Sequence, residues 1–218
     1  MSETDDILLE ADRPARGRPR AFCRETALRR AMETFWALGY EGASMAALTR
    51  AMGIASPSLY AAFGSKDALF REACDFYERE VGSELGSAIA AAPTARAAIS
   101  AFMTVSADML SRPENPPGCM IVLTAASAHG AGDAMRDDLK ARRGSVRALL
   151  ERRLAEDVAR GELPEGLDIA AIAAFYVTVQ QGMSIQAVDG ASPEALARVA
   201  DAAMINWDGL TAGVAKAF

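Results

Sequence analysis

SMAALTRAMGIASPSLYAAFGSK, running from Ser44 to Lys66, decides the fold. Ser44 stands directly before a run in which Met45, Leu48, Ala51 and Met52 recur at helical spacing, so its hydroxyl can accept a backbone N–H at the helix start. Gly53 ends that run, because glycine readily takes the left-handed conformation that closes a helix. Three residues further on, Ser56 reads as a second N-cap, with Pro57 at the first helical position, where a missing N–H costs nothing. Leu59 and Phe63, four apart, can face a core together with Ile54. Ser56, Pro57, Ser58 and Tyr60 are then left on the outer, N-terminal side of the second helix, the side that meets a major groove in a helix-turn-helix. Ser65 caps a third helix, and Lys66 puts a cation in its first turn, against the positive end of the macrodipole. A phosphate docked there reverses that penalty, since it gains both the helix-terminal N–H groups and the ammonium. A solvated lysine is the alternative reading.

Upstream, Leu28, Ala31, Met32, Phe35 and Leu38 share one face of a helix expected from about Arg24 to Leu38, which Gly39 stops. Tyr40 can pack back on its last turn. Before it, residues 1 to 12 hold five acids and no base, and RPARGRPR follows from Arg13 to Arg20. Arg18 and Arg20 lie in an Arg-Gly-Arg-Pro core that suits two readings. One is a slim arm in an A·T-rich minor groove; the other is non-specific attraction to phosphates. Downstream, a helix from Lys66 to about Ser83 carries Leu69, Phe70, Ala73, Phe76, Tyr77 and Val81, a wider apolar stripe than a small domain covers.

The charge distribution supports a polyanion-binding front end. The net charge is −6, yet residues 13 to 71 hold ten Lys or Arg against four Asp or Glu. Alanine, leucine and methionine abound and period-two runs of β-branched residues are missing, so an all-α fold is expected.

The remaining chain reads as further helices. Thr94 caps one to about Ser111, and Arg112 to Gly118 is a loop. A short apolar helix follows from Cys119 to about Ala128, then a long charged one from Asp133 to Arg160. Asp168 caps a helix to Val188 that is apolar nearly all round. A final helix capped by Ser192 keeps a seven-residue repeat through Trp207 and Leu210 to Val214. The last two helices have more apolar face than one subunit covers, which suggests a homodimer.

Ala27, Leu28, Phe35, Gly39-Tyr40, Ser44-Met45, Leu48, Gly53 to Tyr60 and Phe63 to Leu69 together resemble the tetracycline-repressor (TetR) type of bacterial transcriptional regulator. The resemblance implies a three-helix helix-turn-helix DNA-binding domain and a larger C-terminal helical domain for ligand binding and dimerisation. On that reading residues 1–20 are an arm, 21–81 the DNA-binding domain and 82–218 the second domain. It implies phosphate contacts from Ser44, Tyr60 and Lys66, and base-edge contacts from Ser56, Pro57 and Ser58. It further implies a dimeric repressor, released by its ligand, on a roughly palindromic double-stranded DNA operator with half-sites about 10 base pairs or a multiple apart. Many members carry an aromatic and a His or Arg just after the matching tyrosine, where this chain has Ala61 and Ala62. Thymine methyls, DNA shape and the arginine arm then carry more of the discrimination.

No enzyme is expected: there is no phosphate loop and no nucleophile elbow, and His129 is the sole histidine. Cys23, Cys74 and Cys119 are too few and too scattered for a disulfide framework or a metal site, and no cofactor is expected. Cys119 reads as a small apolar neighbour of Met120 and Ile121, with a thiol sensor as the alternative. Without a signal peptide or a bilayer-spanning stretch, a cytoplasmic protein with no membrane partner is expected. Phe102, Met103, Met120, Tyr176, Gln180 and Met183 are candidate contacts to a small, mainly apolar ligand, with core packing as the alternative for each. The competing function is a helical ligand-binding or interaction protein with no DNA role.

Overall fold

The computed structural model describes residues 23–127 and 132–212. Arg18, Arg20, His129 and Val214 lie outside them, as do the expectations attached to them. Among the described residues there are helices and no strand. None of these helices is long and apolar enough to cross a membrane.

Helix α1 (Arg24–Gly42) is interrupted at Gly39, the expected stop, whose positive φ of 69° with ψ of 172° leaves the helical region, and a further turn then runs on to Gly42. Tyr40 then folds back: its ring stacks 6.3 Å from Phe35 and lies edge-on to Phe70 at 5.2 Å. Helix α2 (Met45–Met52) starts where the Ser44 hydroxyl accepts the Ala47 N–H at 3.1 Å and ends at left-handed Gly53. Helix α3 is Ser56–Phe63, and α4 is Lys66–Tyr77, capped by Ser65 through the Ala68 N–H.

The expected end of α4 at Ser83 is not where the helix stops. A π turn, Glu78–Gly82, carries it into α5 (Ser83–Ala91), so helical backbone runs unbroken from Lys66 to Ala91. A π turn spends more residues than an α turn and rotates the helix face beyond it. The 3.6 periodicity is lost there, and Gly82-Ser83 imitates a stop. Thr94 caps α6 (Ala95–Leu110), α7 is Met120–Ser127, α8 is Asp133–Ala159, and Asp168 caps α9 (Ile169–Val188). The single last helix is a second correction. Helix α10 (Pro193–Ile205), capped by Ser192, stops at Asn206, and a short α11 (Trp207–Thr211) follows. Trp207 keeps its inward place through that break and is buried.

Two apolar cores form. The first joins Leu28, Phe35, Leu48, Leu59, Phe63 and Phe70 and also takes in Met120 and Ile121 of α7 and Met135 and Leu139 of α8. The second surrounds Phe102, Leu150, Tyr176, Leu196 and Trp207. A buried hydrogen bond stitches them: the Trp36 indole N–H donates to the Gly118 carbonyl at 3.1 Å. Tyr176 is fully buried, and its hydroxyl has no hydrogen-bond partner among the described residues. Burial pushes that phenol up to about 12. Because an unsatisfied buried hydroxyl is unfavourable, Tyr176→Phe is expected to leave stability unchanged or raise it by up to about 1 kcal/mol. Thermal unfolding measures this, and a loss of stability would mean that the hydroxyl has a partner.

One flank of α9 has no cover among the described residues. Ile172, Ala173, Tyr176, Met183 and Ala187 face inward, while Ala171, Thr178 and Ile185 are exposed on the opposite side. Ile185 is 52% exposed, Val188 50% and Ile205, at the end of α10, 80%.

Candidate nucleic-acid interface and ligand cavity

Helix α3 is anchored from beneath. Leu59 and Phe63 are buried in the first core, which fixes the helix about its own axis. Ser56, Pro57, Ser58 and Tyr60 are all exposed, and Tyr60 is 49% exposed. The expected base-edge residues and Tyr60 are thus accessible on α3, while the other two expected phosphate residues stand elsewhere, Ser44 before α2 and half-buried Lys66 at the start of α4.

The cap of α3 differs from expectation. Ala55, in extended conformation, is the N-cap, and its carbonyl accepts from Ser58 and Leu59. Helix α3 therefore begins one residue early, with Ser56 as its first residue and Pro57 just behind it. No side-chain hydrogen bond caps this end. The Ser56 hydroxyl is consequently released from a structural duty and can donate and accept toward another molecule. Ser44 is different. It accepts the Ala47 N–H, and its own O–H remains a donor at the mouth of α2.

Lys66 opens α4, with its ammonium 4.5 Å from the centre of the Tyr40 ring. Partial burial lowers its pKa, opposed by the nearby carboxylates of Glu41 and Asp67. The Tyr40 hydroxyl donates to Asp67, and burial with that carboxylate holds the phenol well above its ordinary range. The lysine is thus held by an aromatic face. The Asp67 carboxylate is engaged by the phenol.

Behind this unit lies a cavity of about 460 Å³, within the usual size range of small-molecule sites. Tyr77, the π turn, α5, α6, α7, α8 and α9 all contribute to its wall. Leu85, Ile89, Phe102, Leu149 and Val177 give it an apolar lining, and Ser106, Arg143, Arg152, Gln180 and Gln181 supply polar groups. Of the six expected ligand contacts, Phe102 and Gln180 line it. Met103, Met120, Tyr176 and Met183 do not; they are buried in the two cores instead.

The cavity wall is tied to the helix that starts at Lys66. Arg142 of α8 donates to Asp75 and Glu78 at 2.7 Å each and to Asp138 at 2.9 Å. Burial raises the Glu78 carboxyl, and the Arg142 guanidinium counters that shift. Cys119 also lines the cavity, and the Tyr77 hydroxyl donates to its sulfur at 3.5 Å. Sequence reasoning did not single out Arg142, Arg143, Arg152, Ser106, Leu149 or the Trp36–Gly118 bond. One signal was available for the arginines: Arg142, Val146, Leu149 and Arg152 recur at helical spacing along α8, two cations bracketing an apolar pair.

A hydroxyl-bearing helix held outward on a fixed core, with a largely apolar cavity behind it, is the construction of a DNA-binding transcriptional regulator. The chain belongs to the tetR family of bacterial regulatory proteins. Residues 27–73 match the family described as bacterial regulatory proteins, tetR family. Residues 95–203 match the tetracyclin repressor-like C-terminal domain. The HTH-type transcriptional repressor ComR of Escherichia coli K12 is 32% identical over 194 residues, which is 88% of this chain and 92% of that one. A cysteine mutant of the TetR family transcriptional regulator CifR, solved on a 26-base-pair operator DNA, is 44% identical. It superposes with a TM-score of 0.83 over 87% of this chain and 100% of that one. A TetR regulator from Chloroflexus aurantiacus shares the fold, with a TM-score of 0.77 at 22% identity over 86% of this chain and 95% of that one.

Proposed function

We propose that the chain acts as a homodimeric repressor, whose two α3 helices leave a roughly palindromic operator when a small, mainly apolar molecule enters the cavity. The observation that carries this reading is the outward row of Ser56, Pro57, Ser58 and Tyr60 over the buried pair Leu59 and Phe63. In it, Ser56, Pro57 and Ser58 approach base edges, Ser44 and Tyr60 hold phosphates, and Lys66 holds a further phosphate at the start of α4. Arg18 and Arg20 extend the contact along the duplex. Residues 21–81 serve as the DNA-reading unit and 82–218 as the unit for ligand and partner. The name of ComR as a repressor and the operator complex of CifR support the DNA role. The uncovered flank of α9 and the exposed Ile205 support a second copy as the partner.

The route from ligand to DNA follows from one helix having two ends. Lys66 begins α4, while Glu78, Val81 and Gly82 of the π turn that prolongs it line the cavity. A ligand that moves the π turn tilts α4 and changes the separation of the two recognition helices.

Fluorescence anisotropy of labelled intergenic DNA beside the chain's own gene, at several salt concentrations, tests the reading. Binding is expected to prefer that DNA over a scrambled sequence and to weaken steeply with salt. Lys66→Ala is expected to weaken binding to all sequences alike and to reduce the log–log salt slope by about one. A protein with no salt-sensitive preference for any genomic fragment is instead a helical binding protein with no DNA role.

A further inference from the structure

The cavity wall carries two arginines that no carboxylate pairs among the described residues. Three arginines of α8, Arg142, Arg143 and Arg152, line it against one carboxylate, Glu78. Arg142 is committed to three carboxylates, which already outweigh its charge. Arg143 and Arg152 form no ion pair with any described residue. The Arg143 Nη1 is buried without a hydrogen-bond partner among the described residues. Across the same cavity Ser106 is 2% exposed, and its Oγ is buried without a partner as well. A buried guanidinium nitrogen with nothing to donate to is costly, and a charged acceptor is what relieves it. The remaining lining, including Leu85, Ile89, Phe102 and Leu149, is apolar.

We propose that the ligand is an anionic amphiphile: an apolar chain or ring system lying against Ile89, Phe102 and Leu149, with one carboxylate or phosphate group held by the guanidinium of Arg143. Ser106 and Gln180 supply the neutral polar contacts along it. This rests on the reading of the cavity as the effector site and adds the sign of the ligand's charge, which excludes cationic drugs and simple hydrocarbons as its natural occupants. The guanidinium plane of Arg143 suits either anion bidentately, so carboxylate and phosphate heads are separate arms of the test.

Isothermal titration calorimetry on the full chain compares four probes with one tail: decanoate, decyl phosphate, decanol and decyltrimethylammonium. One of the two anions is expected to bind at least about tenfold more tightly than decanol, and the cation not at all. In Arg143→Ala the ratio of anion to decanol affinity is expected to fall about tenfold, with Arg143→Lys restoring part of it because the charge remains. Gly86→Leu serves as a block. An added Cβ at this cavity-lining position meets nothing within 4 Å, so the larger side chain is expected to occupy the site, with circular dichroism checking that the helices persist. Anion preference that depends on Arg143 and is abolished by Gly86→Leu supports the proposal. Equal binding of decanol and decanoate, indifferent to Arg143 but blocked by Gly86→Leu, overturns the charge assignment and leaves the effector cavity standing. Absence of binding by all four probes, or binding that survives Gly86→Leu, overturns both.

Discussion

With Ile185, Val188 and Ile205 all replaced by aspartate, the protein is expected to sediment as a monomer and to bind its operator about a thousandfold more weakly. The three side chains are at least half exposed in the single chain, which is unusual for large aliphatic residues of α9 and α10. Their replacement removes little from either core, so each change alone should alter chain stability by no more than about 0.5 kcal/mol. At a dimer seam the same change is severe, because it buries carboxylates with no counter-charge. A monomer engages one half-site and loses most of the margin, typically about 10³ or more, by which specific binding exceeds non-specific binding. Analytical ultracentrifugation and anisotropy on the operator measure the two effects, and circular dichroism checks that the helices persist. A variant that stays dimeric, or a monomer with undiminished operator affinity, would remove the uncovered flank of α9 from the account.

The DNA-reading end was legible because its signals are local. Caps at Ser44 and Ser65, the left-handed Gly53 and the Leu59–Phe63 pair each act within one or two turns, and each stands where its chemistry put it. The cap of α3 was misplaced by one residue, since a serine before a proline imitates a cap whether or not its hydroxyl is used, and Leu38, expected on the inner face of α1, is 52% exposed. The cavity was much less legible. Met103, Met120 and Met183 are good ligand contacts by residue type, yet type does not say which face of a buried helix meets a void and which meets a neighbour. The π turn hid more, because it rotates Leu85, Gly86 and Ile89 toward the cavity out of phase with α4. Long-range pairings such as Arg142 with Asp75, 67 positions away, have no local signature at all.

Gly118→Ala is expected to lower stability by about 3 kcal/mol and the melting temperature by roughly 6–12 °C. Two costs combine. Gly118 has φ of +80°, a conformation that costs an L-residue about 1–2 kcal/mol. An added Cβ would also lie 2.7 Å from the Ser184 carbonyl oxygen and 2.8 Å from the Leu123 Cδ1. Leucine can swing aside; the carbonyl belongs to the backbone of α9 and cannot, which makes the overlap worth about 1–3 kcal/mol. Any relief moves Gly118 away from Ser184, and two contacts depend on that position. The Gly118 carbonyl accepts from Trp36, and the adjacent Cys119 N–H donates to the Ser184 Oγ at 2.7 Å. Loosening them frees α1 from the wall of the cavity, so operator affinity should become less sensitive to ligand as stability falls. Gly166→Ala separates the two costs: its φ is +81°, but a Cβ there meets nothing within 4 Å. That variant should lose only the backbone share, about 1 kcal/mol or 2–4 °C. Equal losses in the two variants, read by thermal unfolding side by side, would show that the junction at Ser184 yields without cost and holds nothing in place.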